Sequence, residues 1–249
     1  MHPLLSAYEQ LLDFFGPQNW WPGDTPLEIM VGAVLTQNTS WGNVEKAIAN
    51  LKTAGLLPAP DFRSVTPTSD RLLHDEPGDH SPNNCSDHPG RQNQDRCLTA
   101  LRELPTEELA GQIRSAGYYN LKARRLHNLI EHIHDAHGSL DDFLALPAAT
   151  LRRELLTVKG IGPETADSIC LYAAGNPVFV VDTYTHRIFS RHHLLPEEAD
   201  YHTIQEIFTD ALPADTQLYN EYHALIVRVG KEFCRKGQPR CPQCPLHDL

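Results

Sequence analysis

The 249 residues exceed the ~150 expected of a single domain, so one large or two small domains with a sizeable core are implied. Apolar residues at 41% and charged residues at 21% describe an ordinary soluble globular chain, and the lack of any run of ~18 apolar residues excludes a helical membrane span. A net charge of −11 argues against binding nucleic acid through bulk charge, but it leaves room for a local basic face such as Arg228, Lys231, Arg235, Lys236 and Arg240.

The opening MHPLLSAYEQLLDFFG shows helical spacing of apolar residues instead of the basic start and apolar centre of a secretory signal. A cytoplasmic chain, nucleoid-associated in a bacterium, is therefore expected. The spacing predicts a helix over 4–15, closed by Gly16-Pro17, and an aromatic connector Trp20-Trp21-Pro22-Gly23-Asp24. A second helix from 26 carries Leu27, Met30, Val31, Val34 and Leu35 on one face, and a third over 41–51 carries Val44, Ala47, Ile48 and Leu51. The polar break between them, Leu35-Thr36-Gln37-Asn38-Thr39-Ser40-Trp41, offers Ser40 as a helix cap.

Residues 77–96 hold almost no aliphatic side chain and many of Pro, Gly, Asn and Asp. Such a stretch cannot bury enough area to offset ordering, so a mobile surface insertion is predicted. His80, Cys85, His88 and Cys97 fit no compact metal spacing. Helices are predicted again over 106–116, 121–137, two short pieces within 140–156 split by Pro147, then 183–192, 201–211 and 216–233. His127, His132, His134 and His137 do not gather on one helical face and read as a solvated polar surface. Val178-Phe179-Val180-Val181 is a short apolar run compatible with an extended segment. The predicted class is all-α.

Three patterns carry chemistry. Lys159-Gly160-Ile161-Gly162-Pro163-Glu164-Thr165-Ala166-Asp167 joins two helices through Gly-x-Gly. The glycines permit tight backbone geometry, Pro163 suits a first helical turn, and the exposed helix N-terminus is a place for phosphate. A packing corner would explain Gly-x-Gly alone. Twenty residues beyond Gly162 stands Asp182, an acid at the mouth of a helix. Finally, Cys234, Cys241 and Cys244 read C-x6-C-x2-C with Pro242 and Pro245 stiffening the turns, a way to bring soft ligands to one metal centre. Cys170, in an apolar run, reads as a small buried hydrophobe.

In this order the motifs resemble the endonuclease III superfamily of helix-hairpin-helix DNA glycosylases. The resemblance extends to Leu35-Thr36-Gln37-Asn38-Thr39 and to Gly117-Tyr118-Tyr119-Asn120-Leu121-Lys122-Ala123. It implies an all-α, two-lobed fold: a six-helix barrel with the hairpin over 23–176, and a discontinuous lobe from 1–22 and 177–249, with a lesion cleft between. It implies a base-excision-repair enzyme that flips a damaged base from double-stranded DNA and hydrolyses its N-glycosidic bond. Asp182 would be the catalytic carboxylate, Gln37 with Asn38 beside it would fill the gap, and Gly160, Gly162, Lys159 and Arg187 would contact DNA. Trp41 and Tyr119 would line the lesion pocket. A 4Fe-4S cluster on Cys234, Cys241 and Cys244, a monovalent cation at the hairpin and a monomeric state belong to the same set of expectations. The family loop reads C-x6-C-x2-C-x5-C, and the sequence stops five residues after Cys244, so the fourth ligand would be the very next residue or a substitute such as His247.

One departure bears on subtype. Bifunctional members place a lysine in Gly-x-Gly-x-Lys-Thr-Ala, where it forms a Schiff base with the sugar; here that position is Glu164. The wording Gly-Pro-Glu-Thr-Ala-Asp is similar to the branch that includes alkylpurine glycosylases. A monofunctional glycosylase on alkylated purines is the leading reading, with Glu164 in base recognition or water positioning. Two alternatives fit the same motifs: a bifunctional glycosylase/lyase on oxidised or mismatched pyrimidines, and a non-catalytic iron–sulfur DNA-binding protein.

Overall fold

The computed structural model describes residues 2–20, 23–58 and 89–249; His80, Cys85 and His88 lie outside them. Among the described residues there is no strand. The chain begins with α1 (Pro3–Phe15), which Gly16 stops at φ 70°. In α2 (Pro26–Leu35) the Thr25 hydroxyl accepts from Glu28 N–H at 3.3 Å, and eight of ten residues are buried, so this helix is surrounded by protein. α3 (Trp41–Thr53) starts after Ser40, whose side chain makes no cap hydrogen bond, against the expectation.

The next helix corrects the sequence reading. α4 (Pro89–Glu103) begins inside the stretch predicted to be mobile. Cys97, Leu98 and Leu101 are buried, and Leu27 N–H donates to Gln94 Oε1 at 3.2 Å. The polar residues from Arg91 to Arg96 contain no Gly or Pro breaker, and Gln and Arg are good helix formers, so the apolar turn at 97–101 extends backward. The rest of the predicted insertion, 77–88, lies outside the described residues.

Then come α5 (Thr106–Gln112), a 3-10 turn Arg114–Ala116, α6 (Tyr119–His137), α7 (Leu140–Leu144) and α8 (Ala148–Thr157). The Gly117 to Ala123 motif has a clear physical basis. Tyr118 enters α6 left-handed at φ 44°, and Lys122, 1% exposed, donates from Nζ to Leu35 O at 2.8 Å and Ala116 O at 2.7 Å. Burial, then the Arg125 charge, pushes this amine down to about 8. A buried lysine thus ties the end of α2 to the start of α6 and fixes the loop that carries Gln37. Three of the four α6 histidines are engaged within the protein instead of forming a solvated face: His127 bonds Thr106 Oγ1 at 3.0 Å and Leu101 O at 3.2 Å, and His132 and His137 are turned toward α8, whereas His134 lies at the surface beside Asp135.

α9 (Pro163–Ser168) runs on as a π-helical turn, Ile169–Ala173. α10 (Thr183–Arg191), α11 (Tyr201–Ala211), α12 (Thr216–Glu232) and a 3-10 turn Cys241–Gln243 complete the chain. Buried apolar residues form two clusters. One gathers α2 to α9, from Leu27 to Cys170; the other joins α1 to the residues from Leu171 to Leu246, with Ile29 of α2 entering it. Asp167, fully buried, links them. Its oxygens accept from Arg152 Nε on α8 at 2.5 Å, Tyr201 OH at 2.7 Å and Gln205 Nε2 at 2.7 Å, the last two on α11. With Arg152 Nη2 donating as well at 3.2 Å, four donors on one carboxylate repay the desolvation of its charge.

Candidate active site

The α8–α9 turn has the geometry its glycines foretell at one position. Gly160 sits at φ +101°, and a Cβ there would strike the Arg125 side chain. Gly162 is extended and stands at the N-cap of α9. Gln37 is clipped to this turn: its Nε2 donates to Gly160 O at 3.2 Å and Thr165 Oγ1 at 2.9 Å, while Arg125 Nη1 donates to its Oε1. Asn128 Nδ2 donates to Lys159 O at 2.9 Å, leaving the Lys159 side chain exposed. Asn38 follows at φ 53°.

A cleft of about 830 Å³ opens beside the turn. Gln37, Asn38 and Trp41 line one part, Glu164 and Ser168 of α9 another, and Asp182 with His223 and Lys231 of α12 a third. Trp20 and Trp41 meet edge-to-face within it, ring centroids 6.4 Å apart. Asp182 is the N-cap of α10, its Oδ1 accepting from Thr185 N–H at 2.7 Å and Thr185 Oγ1 at 2.9 Å. The cap and the functional reading coexist, because Oδ2 stays free of the cap. It faces His223 Nε2 at 3.6 Å, beyond hydrogen-bond length, and Nε2 has no hydrogen-bond partner. On the ring's other side, His223 Nδ1 and the buried Tyr172 hydroxyl are 2.5 Å apart.

These surroundings separate the two cleft carboxyls. Burial alone would raise Asp182, but the facing His223 imidazole and the Thr185 donors outweigh it and hold the group below the ordinary aspartate value. Glu164 is open to the solvent of the cleft yet crowded by its walls. That crowding, then the Asp182 charge, pushes it above the ordinary glutamate value, with His223 opposing. Tyr172 is pushed well above the usual phenol range by burial, then by Asp182.

The remaining expected residues lie elsewhere. Arg187 stacks over Tyr184 and donates to Cys234 O at 2.9 Å and Gly230 O at 3.2 Å, facing the cysteine loop instead of the cleft. Tyr119 lies under Arg114 and packs on the first cluster, outside the cleft lining. Cys234 and Cys244 are buried in the second cluster and Cys241 is exposed. Arg191 Nη1 donates to Cys234 Sγ at 3.3 Å. Burial raises the Cys244 thiol, with Cys234 and Cys241 close enough to add to the effect. Three thiols on one folded loop, one of them beside an arginine, suit a thiolate-bound centre. His247 does not turn to them: Nδ1 meets Cys244 O at 3.2 Å and Nε2 meets Asp248 Oδ2 at 3.0 Å.

Sequence reasoning missed His223 and Tyr172. The available signal was a titratable ring on the apolar face of α12, beside Tyr219, Tyr222 and Ile226, which looks the same for a plain core histidine.

Residues 82–214 match the HhH-GPD superfamily of base excision DNA repair proteins. The chain is 43% identical over 248 residues to a Methanocaldococcus jannaschii protein provisionally named a DNA repair glycosylase, covering 99% of this chain and 94% of that one. It is 34% identical to endonuclease III of Sulfolobus acidocaldarius over 59% of this chain and 64% of the relative. Among solved structures, the 3-methyladenine DNA glycosylase of H. pylori bound to 1,N6-ethenoadenine superposes with TM-score 0.69 at 29% identity, covering 92% of this chain and 96% of that one. A trapped endonuclease III–DNA covalent intermediate shares the fold, TM-score 0.71 at 20% identity, over 99% and 93% of the two chains. The chain belongs to the HhH-GPD superfamily.

Proposed function

We propose that this protein is a monofunctional DNA glycosylase that removes alkylated purines from double-stranded DNA. The observation that carries the reading is the pair of carboxyls in the cleft: Asp182 held ionised, with Glu164 where a Schiff-base lysine would stand. A base reaches such a cleft only by leaving the duplex stack, and Gln37, with Asn38 beside it, is the side chain that fills the gap once it lets go of the hairpin. Trp20 and Trp41 supply aromatic faces that suit a flipped purine, and an alkylated, cationic one above all. The similarity to the H. pylori 3-methyladenine enzyme supports the same substrate class.

As the glycosidic bond lengthens, positive charge grows on the sugar. The Asp182 carboxylate opposes it and can accept a proton from the attacking water. Glu164, above its ordinary pKa, suits proton donation to the edge of a neutral leaving base. Gly160, Gly162 and Lys159 hold the DNA backbone at the hairpin. Cys234, Cys241 and Cys244 fit three corners of a 4Fe-4S cluster, whose contribution would be to brace the loop that displays Arg235, Lys236 and Arg240 toward phosphates. The two hydrophobic clusters support a barrel over 23–176 and a second lobe from 1–22 and 177–249.

The test uses duplexes carrying single lesions. Alkylated purine should be released without strand cleavage, and borohydride should trap no protein–DNA adduct. Efficient trapping would mean that an amine such as Lys159 performs lyase chemistry and would overturn the monofunctional reading.

A further inference from the structure

The four histidines of α6 divide into two pairs. His127 and His134 are engaged by Thr106, Leu101 O, Arg102 and Asp135. His132 and His137 instead converge on one carboxylate from another helix. His137 Nε2 is 2.6 Å from Glu154 Oε2, and His132 Nε2 is 3.4 Å from the same oxygen. All three atoms lie within 4.8 Å of one another, and His132 Nε2 is buried with no hydrogen-bond partner. An unbonded ring nitrogen aimed at an occupied carboxylate is costly in a two-body arrangement; a cation between the three groups would satisfy it.

We infer that His132, His137 and Glu154 form a binding site for a divalent metal of the zinc class, holding helix α6 to helix α8. Two imidazoles and one carboxylate are the donor set of zinc and its neighbours, too nitrogen-rich for calcium or magnesium and without the thiolates that select a softer centre. Phe143, fully buried on α7, contacts both rings, with centroids 6.0 Å and 5.2 Å away, and limits their rotation. The rings are therefore held toward the site before any ion arrives. Binding requires both Nε2 atoms as lone pairs. The proton that His137 Nε2 shares with Glu154 moves to Nδ1 of the same ring, and water completes the coordination.

None of the three residues lines the Asp182 cleft, so the ion has no part in base removal. Its position gives it a structural role. Glu154 lies one turn before the end of α8, the helix that leads directly into the Gly160 hairpin, and His137 is the last residue of α6. A metal there would fix the first helix of the hairpin against the barrel.

The full chain, stripped with a chelator and labelled with nitrogen-15, is titrated with zinc while the histidine ring nitrogens are followed by NMR. One equivalent should shift the Nε2 signals of His132 and His137 together and raise the melting temperature. Glu154→Gln keeps the shape and should weaken that binding by roughly tenfold or more, with helical circular dichroism unchanged. His137→Ala should abolish the paired shift. Zinc taken up by the cysteine loop alone would leave both imidazoles unmoved, and that result in the folded protein overturns the site. Equal binding by wild type and Glu154→Gln would overturn it too.

Discussion

Asp182 and His223 show how one side chain can cap a helix and still be available for chemistry. Thr185 occupies Oδ1, so the cap fixes the carboxylate's orientation, while Oδ2 faces the neighbouring His223 ring. Asp182→Asn keeps the cap acceptor and removes the charge, so base excision should fall by roughly a hundredfold or more while lesion binding persists. Single-turnover excision beside a binding assay separates the two effects. His223 acts through Asp182. His223→Gln removes one of the groups that outweigh burial at Asp182, the Thr185 donors remaining, so the acid limb of the excision profile should move to higher pH. The other titratable groups facing the pair are Tyr172, which stays protonated through this range, and Glu164, which interacts with both Asp182 and His223. An unchanged acid limb would show that His223 only packs. The same lowered pKa has a folding consequence: Asp182 contributes stability above its unfolded pKa, lost as pH falls through its lower native value.

At the level of elements, α10 and α12 approach closely at Gly230. A Cβ on Gly230 would meet Tyr184 at its ring and near its Cβ, atoms that cannot swing away. Gly230→Ala should therefore destabilise by roughly 1–3 kcal/mol. Gly111→Ala, at an exposed position of α5 with open space around it, should stabilise by up to about 1 kcal/mol. Urea unfolding of the two variants side by side gives the contrast, and equal midpoints would refute the packing argument. Asp167→Asn leaves the Arg152 charge without its carboxylate and should cost about 3 kcal/mol by the same assay. These joints were opaque in the sequence, whereas the helices themselves were mostly legible. Apolar spacing marks the helices from 26, over 41–51 and over 121–137 locally, and Gly160 and Pro163 announce their turn by residue type. α4 was missed because its N-terminal half is polar and only Cys97, Leu98 and Leu101 give a face. The candidate site was legible in its acid and its hairpin but not in its support. Gln37 is 123 residues from Gly160, and no local pattern records that clip or the contact of His223 with Tyr172, 51 residues apart.

For the whole molecule, the sum of charges and the proposed partner pull in opposite directions. A chain of net charge −11 is repelled by a polyanion at long range, so association must depend on where its 21 basic residues stand. The cleft wall carries Lys231, exposed on α12, and the hairpin carries exposed Lys159. Arg228 is already drawn to Glu232 at 3.0 Å and to the face of Phe15, and Arg187 and Arg191 are committed to the backbone around Cys234. Beside the cleft and on the hairpin, Lys231 and Lys159 are the exposed cations, and each should be visible in the salt dependence. Lys231→Ala and Lys159→Ala should each weaken binding to damaged and undamaged duplex alike, and each should flatten the slope of log K against log salt by about 0.9. Glu108→Gln, on α5 and off the cleft, changes the net charge by the same amount in the opposite sense and should leave that slope almost unaltered. Equal slopes for wild type and both lysine variants would place the DNA footprint on another face of the molecule.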